Sequence, residues 1–204
     1  MKKQIIGIVL VCVMVISMSA SASAATLTLD EETKEEYYSE YIEIAKEVSK
    51  EAELDISVLP IDEFQEEDWR TPQEFRDFIT EVAYWHLTCT DSGDDALTRS
   101  TASAAKSTTV TADGRSYTLS ITGSFKTDLN TSVGQQRFSG INSITSKLTG
   151  STGTWTQTGY ESQSMDAART YSITVSGKLT IAGAVFSNKL AYVEFYCNGQ
   201  GVVS

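Results

Sequence analysis

The sequence predicts an α+β protein, an acidic N-terminal helical module of two helices followed by an antiparallel β-sandwich or barrel-like domain. Three observations predict it. Residues 25–99 carry 22 Asp/Glu against 6 Lys/Arg, whereas residues 100–204 carry 5 against 8. Apolar residues in the first half recur every three or four positions. In the second half they alternate with Ser and Thr. A charge asymmetry of this kind marks two physically different modules.

The chain opens with a targeting pattern. Lys2 and Lys3 precede an apolar run over residues 5–18, and Ala22-Ser23-Ala24 supplies a small-x-small site. The run is too short for a spanning helix, so residues 1–24 read as a secretory signal peptide cleaved before Ala25. The expected location is therefore secreted, or extracellular. An acidic half repels nucleic acid, and no second apolar run calls for membrane insertion, so neither is an expected partner.

Within the helical module, residues 25–89, the first helix is expected over residues 30–53. Tyr37, Tyr41, Ile44, Val48 and Ala52 form its stripe, with Thr28 or Asp30 as its cap. Thr71-Pro72-Gln73-Glu74 is a capping box with Pro at the first helical position. It opens a second helix over about residues 72–88, on whose stripe Phe75, Phe78, Ile79, Val82, Trp85, His86 and Cys89 lie. Residues 90–116 are small and polar and read as a linker that ends in an Ala-Asp-Gly-Arg-Ser turn. The β domain spans residues 117–204. Its strand signals are 117–125, 143–148, 154–160, 171–181 and 190–197.

Two cysteines remain after processing. In an oxidising compartment an even pair predicts a disulfide, here Cys89 to Cys197, tying the helical module to the β domain. Closing so long a loop would stabilise the fold by roughly 4.7 kcal/mol on the chain-entropy model. A nucleophilic Cys89 with His86 as its base would stand three apart on one helix. Acidic surroundings and a helix C-terminus both disfavour the thiolate, however. A zinc site from His86, Cys89 and Cys197 lacks paired spacing and a fourth ligand. Asp91, Asp94 and Asp95 lack the order of a calcium loop. Hence no catalytic residue, cofactor or metal is assigned. The carboxylates Glu63, Glu66, Glu67 and Asp68 form a charge run rather than a pair flanking a cleft.

Trp155 and Tyr160, set in a polar stretch, are the candidate ligand-stacking aromatics, and Tyr192 and Tyr196 would extend an exposed face. The expected function is a non-catalytic extracellular binding or interaction module for a cell-surface glycan or protein. One alternative is a secreted precursor whose acidic half is a pro-region, cleaved near Arg99. Another is a hydrolase with an unrecognised carboxylate site.

Overall fold

The computed structural model describes residues 29–91 and 102–204. The expected signal peptide, its cleavage site, Asp94, Asp95 and the cleavage near Arg99 lie outside the described residues. The fold is α+β, with two helices ahead of two mainly antiparallel sheets.

Helix α1 spans Glu31–Ala52, and the Asp30 side chain accepts from the Thr33 N–H at its start. The cap satisfies one of the orphan amides of the first turn. Tyr41, Ile44, Ala45 and Val48 are its buried stripe. Strand β1, Ile56–Val58, follows. Helix α2 spans Pro72–Ala83 and opens on the expected capping box, with Thr71 and Glu74 bonded reciprocally. It buries Phe75, Phe78, Ile79 and Val82.

Helix α2 stops earlier than its apolar stripe suggests. Tyr84 ends it, and Leu87–Cys89 forms strand β2 instead. Trp85, Leu87 and Cys89 also alternate, so this stretch satisfies both periods, and sheet pairing decides between them. Lys189 fixes the end of α2. Its Nζ donates to the carbonyls of Val82 (2.8 Å) and Ala83 (2.6 Å) in the last turn, and the Val82 oxygen also accepts from the Trp85 N–H at 3.2 Å.

The segment expected to be a linker contains strand β3, Ser103–Ala112. Asp113 and Gly114 then turn the chain with positive φ at both positions, the twist that suits a two-residue hairpin. Strands β4 (Arg115–Asn130) and β5 (Gln135–Gly150) complete the sheet β3-β4-β5. Strands β6 (Thr154–Met165), β7 (Thr170–Ile181) and β8 (Ala184–Tyr196) build the second sheet in the order β8-β7-β6. The free edge of β8 takes both short strands from the N-terminal half. Antiparallel β1 lies against 184–186, and parallel β2 against 191–193.

The two sheets come together along both sides. Thr90 and Ser107 exchange backbone hydrogen bonds at 3.0 Å, linking the end of β2 to β3. On the other side, side chains join β5 to β6. The Trp155 indole donates to Ser146 Oγ (2.7 Å), that hydroxyl donates to Gln157 Oε1 (2.7 Å), and Gln157 Nε2 donates to the Ile144 carbonyl (3.1 Å).

Helices α1 and α2 close one end of this sandwich. Tyr41, Val48, Phe75, Ile79 and Val82 pack with Leu179, Ile181, Ala184 and Phe186 of the second sheet and with Tyr117 of β4 in one core. A second core of Leu119, Ile121, Phe125, Phe138, Ile173, Val175, Val193 and Phe195 fills the space between the sheets. Trp85, Val110, Leu148 and Trp155 touch both. A polar clamp reinforces the junction. The Tyr41 hydroxyl donates to the Arg70 carbonyl (2.5 Å) and accepts from the Arg70 N–H (2.9 Å), and Arg70 pairs with Asp113 at 2.8 Å. No helix among the described residues is long and apolar enough to cross a membrane.

Candidate binding face

Strand geometry separates the residues around Cys89. Successive side chains of β2 point to opposite sides. His86 and Cys89, an odd number of positions apart, therefore face oppositely. His86 is exposed and Cys89 is buried. The helix that would have placed imidazole over thiol ended at Ala83, so a Cys–His couple has no geometry. The zinc reading fails for the same reason.

The expected disulfide is not formed. Cys89 and Cys197 are both free and buried. Cys89 pairs with Val193 across the β2–β8 ladder. Cys197 lies four residues further along, about 13 Å at ~3.3 Å per residue. A disulfide needs Cα atoms within about 7 Å. Both sulfurs point into the same core at separate levels. Burial pushes the Cys89 thiol up to about 11 and raises Cys197 as well, Arg169 opposing the second shift. Neither thiol is a nucleophile at neutral pH. A thiol-reactive dye is expected to label neither cysteine in the native protein and both after unfolding. Reductant is expected to leave the melting temperature unchanged. A melting temperature that falls in reductant would restore the disulfide.

Two of the four carboxylates in the charge run are committed elsewhere. Glu66 pairs with Lys34 at 2.9 Å. Asp68 is buried and accepts from the Gln65 N–H. An open cavity of about 200 Å³ is lined by Glu74, Asp77, Phe78, Glu81 and Asp113. Glu74, however, accepts from Thr71 N–H and Oγ1, which lowers its pKa. Asp113 faces Arg70. A general acid needs the opposite, a carboxyl raised by burial beside an ionised partner; burial does raise Asp68, but its carboxylate accepts from the Gln65 N–H and does not line this cavity.

Trp155 and Tyr160 are not equivalent. The Trp155 ring lies over Gly177, where a Cβ would collide with it, and its N–H is held by Ser146. Trp155 is a half-buried seam residue between β5 and β7, so it is unsuited to stack on a ligand. Tyr160 is 42% exposed. A bulge between Gln157 and Gly159 shifts the register, so Tyr160 pairs with Val175 as Trp155 pairs with Leu179. The two rings therefore face the same side of the sheet, which strict alternation would have forbidden.

A broader face lies on the outer side of the second sheet. On β8, Leu190, Tyr192, Glu194 and Tyr196 point outward, while Ala191, Val193 and Phe195 point into the core. Tyr192 is 47% and Tyr196 40% exposed. Thr174 of β7 and Thr88 of β2 flank Tyr192 directly, and Ser172 flanks Glu194. Arg169 stacks on Tyr196 with its guanidinium 5.0 Å from the ring centroid and also donates to the phenolic oxygen. This arrangement orders the ring without covering both its sides. The face is thus a strip of aromatic and hydroxyl groups on a strand that has partners along both edges.

Comparison with protein-family models, with curated proteins and with solved structures finds no match for this chain.

Proposed function

We propose that the protein is a secreted, non-catalytic binding protein whose outer second-sheet face takes a cell-surface glycan. The observation that carries this reading is the exposure of Tyr192 and Tyr196 on one side of β8, with hydroxyl side chains on both flanks. Large aromatic rings are normally buried, and two exposed on a paired strand offer stacking surface at low entropic cost. Four residues of strand separate them by about 13 Å, so a short run of sugar rings lying along β8 meets both. Thr88, Thr174 and Ser172 supply donors and acceptors for sugar hydroxyls. The signal pattern of residues 1–24 supports export.

The merged core speaks against the acidic half as a removable pro-region, since that half supplies β1, β2 and the lid over Leu179 and Phe186. The carboxylate commitments speak against the hydrolase.

A glycan array and a pull-down on insoluble cell-wall polysaccharide test the reading. Tyr192→Ala and Tyr196→Ala are each expected to weaken binding about tenfold, equivalent to about 1.4 kcal/mol. Trp155→Phe is expected to retain binding while losing stability. Binding that survives both tyrosine substitutions would remove this face from the account.

A further inference from the structure

Strand β6 has a partner on one side only. β7 pairs with it throughout, but no main-chain hydrogen bond joins it to β5 among the described residues. On β6 itself the side-chain hydrogen bonds to β5 end at Gln157, and β5 meets this hairpin again only past the strand, where the Phe138 N–H donates to the Ala168 carbonyl (2.9 Å) and Arg137 to the Ala167 carbonyl (3.0 Å). Beyond the bulge, Tyr160–Met165 runs in unbroken register with 170–175 of β7. Residues 160–164 are exposed on both faces. Tyr160, Ser162 and Ser164 stand opposite Val175, Ile173 and Tyr171, so they carry on a row whose β7 members Val175 and Ile173 are in the core.

Natural sheets guard an open edge with lysine, proline or an inward charge. β6 contains no Lys and no Pro, and Glu161 is its only charge. Its bulge protects only the half nearer Trp155. The remaining edge is a row of unsatisfied main-chain donors and acceptors, ready for another strand.

We propose that the occupant is β6 of a second copy, paired antiparallel and centred on Ser162, giving a twofold dimer. Charge selects the direction. The acidic helices sit at the Thr154 end of β6, where Trp155 contacts their core. Antiparallel pairing sends the two acidic ends to opposite poles, whereas parallel pairing sets them side by side. Charge also selects the register. Centred on Ser162, Tyr160 faces Ser164 and Glu161 faces Gln163. Centred on Glu161, two carboxylates face each other, a destabilising cross-strand pair. Centred on Gln163, fewer residues of the open segment pair. The axis through Ser162 is perpendicular to the sheet, so the interface is isologous. Both outer tyrosine faces then lie on one side of a continuous sheet, and a polymeric ligand meets two of them. The dimer itself does not depend on what that face binds.

Sedimentation of the mature chain over a range of concentrations is expected to show the apparent mass doubling. Ser162→Lys places two ammonium groups opposite each other and is expected to abolish the dimer with the monomer still folded. Ser162→Cys faces its own copy and is expected to form a reducible covalent dimer under mild oxidation. Gln163→Cys, which faces Glu161, is expected not to form one at a comparable rate. The wild-type thiols are buried and do not compete. A wild-type monomer at every concentration, or cross-linking no faster at position 162 than at 163, overturns the proposal.

Discussion

A chain cut down to residues 100–204 is expected to remain unfolded, even though it contains six of the eight strands among the described residues. The helices cover Tyr117, Leu179, Ile181 and Phe186, all nearly inaccessible in the intact protein. Exposing each costs about 2 kcal/mol, so together they remove about 8 kcal/mol from a stability that for whole domains is typically ~5–15 kcal/mol. Further losses follow. One edge of β8 is stripped of β1 and β2. Lys189 no longer has the helix carbonyls that hold its ammonium, and Asp113 loses Arg70. Far-ultraviolet circular dichroism and amide-proton dispersion check the result. A fragment that melts cooperatively would show that the acidic half is dispensable and revive the pro-region reading.

The stability of the intact protein is expected to rise between pH 8 and pH 9, and that rise is expected to disappear in Lys189→Met. Lys189 is 4% exposed, and burial lowers its pKa from 10.5 to about 8. Below pH 8 the amine is protonated in the folded and unfolded chains alike, so the cost of burying the charge is paid in full. Above pH 8 the folded chain sheds the proton while the unfolded chain keeps it until about 10.5. The unfolded state then binds more protons, and stability climbs with pH. The full effect of that difference is about 3 kcal/mol, at about 1.4 kcal/mol for each unit. Opposing groups already trim the rise as the pH nears 9, the Cys197 thiol, also raised by burial, among them, and they dominate further up. Cys89, ordinarily near 9, is raised to about 11, and Tyr41, ordinarily near 10, to about 12, both by burial. Each ionises first in the unfolded chain and so lowers stability as the pH climbs further. Urea titrations of wild type and Lys189→Met at pH 7, 8 and 9 isolate the lysine. Parallel curves for the two proteins would remove Lys189 from the titration.

The fold class was legible because two different periods occupy the two halves. Tyr41, Ile44 and Val48 recur on a helix, and Tyr117, Leu119 and Ile121 alternate on a strand. The capping box at Thr71 and the turn at Asp113-Gly114 were legible because their chemistry is local. Strand β3 was not. Its inward positions are Ala104, Lys106, Thr108, Val110 and Ala112, so the apolar alternation is too weak to separate it from a polar linker. It is a strand because ten successive residues find partners on β4. Strand β2 was hidden inside a helical stripe because Trp85 and Cys89 suit either period. Only β8, about a hundred residues away, decides the outcome. The cysteine pairing failed for a related reason. Composition and compartment indicate whether two cysteines favour a bond, but their separation depends on register along a ladder that pairs residues 89 and 193. The tyrosine face was partly visible as the alternation of Tyr192 and Tyr196. The Trp155 seam needed the neighbouring strand to reveal Ser146 and Gly177.

β8 hydrogen-bonds to β1, β2 and β7, and it brings the last inward row of the second sheet. While the ribosome is still making the chain, β1 has no edge to join, β2 has only the Thr90–Ser107 bridge to β3, and the two helices have only part of the surface they will cover. Assembly therefore waits for nearly the whole polypeptide.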